Sequence, residues 1–169
     1  LTGPTYHATI QAAINAAAPT DIIEVCAGTY REDILVNKSL SIRGPNYLIS
    51  PNTGVRVAEA ILQPATSDPV NLTYIYLDAG ASGTTIEGFT MDGDNTILGG
   101  GVLMNGADVN AAEAIGAYDG LANTTIQNNI IKNLNYAGID FYNYTNSGTA
   151  TTGNTITDNK FDNIIPSAY

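Results

Sequence analysis

The sequence has no tryptophan, one cysteine, one histidine and only six basic residues, and each scarcity excludes something. Cys26 alone cannot close an intrachain disulfide and leaves no cysteine framework for a metal. Six Lys and Arg against 16 Asp and Glu give a formal charge of -10. Nucleic acid is therefore not expected as a partner, because it needs a basic surface. No run approaches the ~18 apolar residues of a membrane-spanning helix, so membrane insertion is not expected either. His7 lies ahead of the first helical segment, which argues against histidine-based catalysis.

The residues that are abundant point to strands and turns. With 44% hydrophobic and 13% charged residues the chain is not of the disordered class. Seventeen glycines, 18 asparagines and 20 threonines favour tight turns and pleated surfaces over helices. Only residues 9–18 read as a helix: Ile10, Ala13, Ile14 and Ala17 share a face, Thr9 is placed to cap it, and Pro19 ends it.

Beyond that helix the chain repeats. Residues 85–93 (Thr-Ile-Glu-Gly-Phe-Thr-Met-Asp-Gly), 125–133 (Thr-Ile-Gln-Asn-Asn-Ile-Ile-Lys-Asn) and 155–163 (Thr-Ile-Thr-Asp-Asn-Lys-Phe-Asp-Asn) align without gaps. Each copy opens with Thr-Ile, places a large apolar residue five positions after that Ile (Met91, Ile131, Phe161), and ends in Gly or Asn. Companion segments at 75–80 and 115–120 precede the first two copies, and 101–106 and 138–143 follow them. One period thus holds three short strands. This predicts an all-β solenoid with three strands per coil, in which Ile86, Ile126 and Ile156 stack as one column and Met91, Ile131 and Phe161 as another. Asn129 and Asn159 should form an amide ladder at one corner, where Phe89 stands in the first copy.

Residues 6–15 (Tyr-His-Ala-Thr-Ile-Gln-Ala-Ala-Ile-Asn), 28–32 (Gly-Thr-Tyr-Arg-Glu) and 39–46 (Ser-Leu-Ser-Ile-Arg-Gly-Pro-Asn) resemble the opening of the pectin lyase-like, right-handed parallel β-helix superfamily. The opening is similar both to pectin methylesterase-type enzymes and to β-helix modules of bacterial surface proteins. The resemblance implies a β-helix whose first coil is capped by an N-terminal helix within residues 1–20. By length residues 1–169 are expected to be one domain, with coils over 21–169, and since no second helical segment follows the third repeat, no cap is expected at the C-terminal end. The catalytic segments implied by the esterase type are not present; the nearest match is Ile139-Asp140-Phe141-Tyr142.

Several residues are candidates for chemistry. Arg43 and Lys132 lie on repeat strands and could serve as a lyase base, or simply as surface cations paired with carboxylates. Asp92 and Asp94 form the densest polar turn and offer hard oxygen ligands, making calcium the one cofactor the residues would admit; Asp78, Asp108 and Asp119 could complete the site. The same residues also suit an ordinary Asx-rich turn. By strand alternation Tyr74 and Tyr76 point outward, as do Asp140 and Tyr142. Tyr74, Tyr76 and Tyr142 could then contact carbohydrate or another subunit, although the two pairs belong to different strand classes and should sit on different faces. No complete catalytic set is present. The expected function is a non-catalytic extracellular or cell-surface scaffold or adhesin module, contacting carbohydrate and stacking end to end with other copies of itself or with further coils of a longer chain. The competing expectation is a fragment of a polysaccharide-active enzyme, a pectin-type lyase or esterase.

Overall fold

The computed structural model describes residues 3–103, 106–118, 120–142 and 150–165. One α-helix, α1 (Ile10–Ala16), precedes the strands β1 (Ile22–Glu24), β2 (Gly28–Arg31), β3 (Ile34–Val36), β4 (Ser41–Arg43), β5 (Ala60–Gln63), β6 (Asp68–Leu77) and β7 (Thr85–Glu87). After them come β8 (Thr90–Asp92), β9 (Ala111–Tyr118), β10 (Thr125–Gln127), β11 (Ile130–Leu134), β12 (Ala137–Tyr142), β13 (Thr155–Thr157) and β14 (Lys160–Ile164). Every third strand joins the same sheet. Sheet A has the order β1-β4-β7-β10-β13, sheet B β2-β5-β8-β11-β14, and sheet C β3-β6-β9-β12. All pairings are parallel, an arrangement consistent with an all-β parallel solenoid in which each rung takes one strand from each sheet. Among the described residues no helix is long and apolar enough to cross a membrane.

In-register pairing stacks like on like. Sheet A aligns Ile23, Ile42, Ile86, Ile126 and Ile156. Sheet B aligns Tyr30, Leu62, Met91, Ile131 and Phe161. Sheet C aligns Ile34, Ile75, Ile115 and Ile139. The two expected columns therefore form, extend toward the first rung, and gain a third. The amide ladder forms as well: Phe89 N–H donates to Asn129 Oδ1 (3.0 Å) and Asn129 N–H to Asn159 Oδ1 (3.0 Å), while each amide donates back to a sheet A carbonyl, Ile86 at 3.1 Å and Ile126 at 2.8 Å. Corners repeat in step. Left-handed residues recur at Gly83, Asn123 and Gly153, and again at Gly88, Asn128 and Asp158, which explains the Gly and Asn excess. At Gly88 a side chain is impossible, since a Cβ would lie 2.1 Å from the Tyr47 nitrogen.

The third side differs from expectation. Residues 101–106 are not a strand of the coil: those described fall in the connection between β8 and β9, and Met104 and Asn105 lie outside the described residues. The strand that follows the first Thr-Ile copy is β9, whose Ile115 pairs with Ile75 on one side and Ile139 on the other. The segments at 75, 115 and 138 are thus equivalents on one sheet, and the long connection inside the third rung hides that offset in the sequence.

The helix is shorter than the 9–18 segment, running Ile10–Ala16, because Ala17 already adopts extended backbone ahead of Pro19. Thr9 caps it by accepting from Ala12 N–H. Its buried face, Ile10 and Ile14, lies over the first rung. The Gln11 amide supplies a substitute strand, accepting from Leu35 N–H (2.7 Å) and donating to Leu35 O (3.2 Å), so the free edge of β3 is partly occupied. At the other end Ile156 and Phe161 are each 48% exposed, whereas Ile126 and Ile131 are fully buried. Ile126→Ala should therefore cost about 2–5 kcal/mol in urea denaturation, and Ile156→Ala well under half of that. Equal losses at the two positions would show that the column is not stacked as described.

Candidate functional site

The outer face of sheet C gathers the most polar and aromatic chemistry. Strand pairing sets Tyr76 beside Gly116 and Gly116 beside Asp140, and sets Tyr118 beside Tyr142. The Tyr76 and Tyr118 rings lie 5.6 Å apart at 41°. Tyr118 and Tyr142 are exposed, and Tyr76 is half-buried. Tyr76 and Tyr142 were expected on different faces; they share one, because β6 and β12 belong to the same sheet with β9 between them.

Tyr74 does not point outward. It is completely buried, because the pairing of β6 with β9 slips between Asp68 and Thr73 and the alternation of sides breaks next to it. The rows opposite leave room, Ala114 being buried and Gly138 lying over Ile131 and Phe161. Its hydroxyl is buried without a hydrogen-bond partner. Burial, and then the charge of Asp92, push that phenol far above its usual range. Tyr74 therefore cannot serve as a contact for carbohydrate or a subunit.

Glu113 is a candidate site residue that the sequence did not single out. It sits in an Ala-rich strand with no motif around it, and only the register brings it to Asp140. Its carboxyl is nearly buried, accepts from the Thr73 hydroxyl at 2.5 Å and from the Tyr118 hydroxyl at 3.4 Å. Burial raises its pKa, and Asp140 raises it further by charge and by a side-chain hydrogen bond, against the two hydroxyl donors. The Tyr118 phenol is raised by burial, with Glu113 and Asp140 adding to the effect. Gly116 makes the arrangement fit: a Cβ there would stand 2.7 Å from Thr73 Cγ2 and 2.9 Å from Glu113 Oε2. The result is a pair of neighbouring carboxyl groups, one of them nearly buried, flanked by tyrosine rings on paired strands.

The Asp92–Asp94 turn is organised differently. Asp92 is committed to the protein, accepting from Lys132 Nζ (3.0 Å), Asn133 Nδ2 (2.8 Å) and Asp94 N–H (3.2 Å). Asp94 is buried and accepts from Val102 N–H (3.1 Å); burial raises its pKa, and Asp92 and Asp108 add to this. Asp108 therefore approaches Asp94, whereas Asp78 caps the 3-10 turn Ala79–Ala81 at a different corner, and Asp119 lies outside the described residues. Among the described residues no three His, Cys, Asp or Glu side chains converge to hold a metal. Arg43 is ion-paired with Glu87 (3.0 Å) and stacks over Tyr47, so neither it nor Lys132 is free to act as a base. Cys26 is exposed in a shallow groove with Val25, Tyr47 and Val57.

Two consequences of the carboxyl pair can be measured. Because the folded-state pKa of Glu113 is raised, the native state holds a proton that the unfolded chain releases near pH ~4.3. Stability should fall as pH rises from there through the raised pKa, and Glu113→Gln should flatten that segment of a stability-versus-pH curve. An unchanged slope would remove Glu113 as the buried acid. Gly116→Ala should destabilise by about 1–3 kcal/mol in thermal melts, by displacing Thr73 and Glu113. Compared with known proteins, the chain matches no family model, no curated protein and no solved structure.

Proposed function

We propose that this chain is a right-handed parallel β-helix module of the pectin lyase-like kind, working as a non-catalytic extracellular or cell-surface scaffold that holds carbohydrate on the outer face of sheet C. The observation that carries this reading is the meeting of Tyr76, Tyr118 and Tyr142 with Glu113 and Asp140 on that face. Tyrosines offer an apolar ring to a sugar face and a hydroxyl at its edge. Carboxylates accept from sugar hydroxyls, and a protonated carboxyl also donates. A parallel sheet paired on both sides of β6 and β9 keeps these groups in fixed relative positions. The exposed Ile156 and Phe161 support stacking against a further rung, from another copy or from a longer chain.

Affinity electrophoresis in gels containing soluble polysaccharides tests this reading. The protein should be retarded by at least one of them, and Tyr76→Ala or Tyr118→Ala should each weaken retention about tenfold in Kd, or ~1.4 kcal/mol. Retention that survives both substitutions would place binding elsewhere.

A second reading, a polysaccharide-active enzyme related to pectin-type lyases or esterases, is favoured by one observation: Glu113 lies nearly buried beside Asp140, and burial raises its pKa. Paired carboxyls with separated roles are what acid–base cleavage of a glycosidic bond requires. In that case reducing ends or unsaturated products should accumulate on incubation with the bound polymer, and Glu113→Gln should abolish them while leaving retention in the gel intact. No product from any polymer that binds leaves the scaffold reading standing.

A further inference from the structure

The charges around sheet C specify which carbohydrate. We infer that its outer face selects uncharged polysaccharide and rejects polyuronate, an inference that rests on the carbohydrate reading above. β3, β6, β9 and β12 contain Asp68, Glu113 and Asp140 and no Lys, Arg or His. All six basic residues of the chain are placed elsewhere. Arg43 pairs with Glu87 on sheet A, and Lys132 with Asp92 on sheet B. Arg56 pairs with Glu59 (2.7 Å) and donates to the carbonyls of Ile49, Phe89 and Asn128. Lys38 donates to the carbonyls of Asn15 and Ala17 at the end of α1. Arg31 donates to Asn95 Oδ1 (3.2 Å), and Lys160 lies on β14 of sheet B. Residues 143–149, which follow β12, are Asn-Tyr-Thr-Asn-Ser-Gly-Thr and add no charge.

A uronate carboxylate laid on the tyrosine faces would thus meet Glu113 and Asp140 with no cation to balance it. Acidic side chains offer a uronate no compensating charge, and like charges brought together at a partly desolvated site repel. Uncharged sugar hydroxyls meet no such penalty. They can donate to Asp140, and they can exchange hydrogen bonds with the Tyr118 hydroxyl, which already lies 3.3 Å from Thr73 Oγ1. The face is therefore selective by charge as well as by shape.

Fully methyl-esterified pectin and polygalacturonate share a backbone and differ in charge, so they isolate the effect. With hydroxyethylcellulose as an uncharged reference, Kd is measured by isothermal titration in ~0.15 M salt, where a Debye length of about 8 Å suppresses the long-range field of the -10 protein. The expected result is binding to an uncharged polymer at least tenfold tighter than to polygalacturonate. The double substitution Glu113→Gln with Asp140→Asn should narrow that ratio at least threefold. Glu24→Gln on the exposed edge of sheet A should leave it unchanged, which controls for net charge. Equal or tighter binding of polygalacturonate, weakened by Tyr76→Ala, overturns the charge selection while the carbohydrate reading stands. Failure of every polymer to bind overturns that reading, and the inference with it. An equal response to Glu24→Gln and to the double substitution assigns the preference to net charge and overturns the role of this face.

Discussion

Parallel, in-register pairing between successive rungs is the constraint on which the rest of the structure depends. Each strand satisfies its backbone donors and acceptors with equivalents one rung away, as Ile126 does between Ile86 and Ile156. Since side chains alternate sides, a slip of one residue would move a whole strand's apolar set to solvent, so register is held wherever one face is buried. Like residues must then stack. Apolar columns in all three sheets follow from this, as does the Asn129–Asn159 ladder, which satisfies the Phe89 and Asn129 N–H groups at a corner that strands leave unpaired.

The same constraint governs the corners and the ends. A chain that must turn at the same point in every rung needs left-handed backbone there, and Gly88, Asn128 and Asp158 supply it in step. Long connections are allowed only outside the stack. Residues 44–59 fold over the corner at Gly88, anchored by Arg56, and the connection between β8 and β9 covers the next corner through Asn95 and Asn110. Where pairing stops, the first rung is covered by α1 with its Gln11 side chain, and the last rung leaves Ile156 and Phe161 half exposed.

The candidate site follows from register too. Glu113 and Asp140 are far apart in sequence, and each alone is an unremarked acid on a short strand. Stacking β9 against β12 brings them together, and stacking β6 against β9 supplies Thr73, Tyr76 and Tyr118 around them. Gly116 then leaves the gap in which the Glu113 side chain lies against the sheet. Burial and the neighbouring acid raise the Glu113 pKa, so the electrostatic character of the face is a property of three rungs and of no single segment.

By itself the sequence determined the three-strand period, the helix with its Thr9 cap, the Ile86–Ile126–Ile156 column and the amide ladder. All of these rest on local patterns repeated at a fixed spacing, and a repeat is legible wherever copies can be aligned. Only the tertiary structure decided which segments share the third sheet, because the long connection after Gly93 breaks the spacing there. It also decided that Tyr74 lies inside, since an irregularity in pairing overrides simple alternation. And it decided that Asp92 serves Lys132 while Glu113 comes to lie beside Asp140, which with burial raises its pKa. Those outcomes depend on distances between rungs, which a linear pattern does not encode.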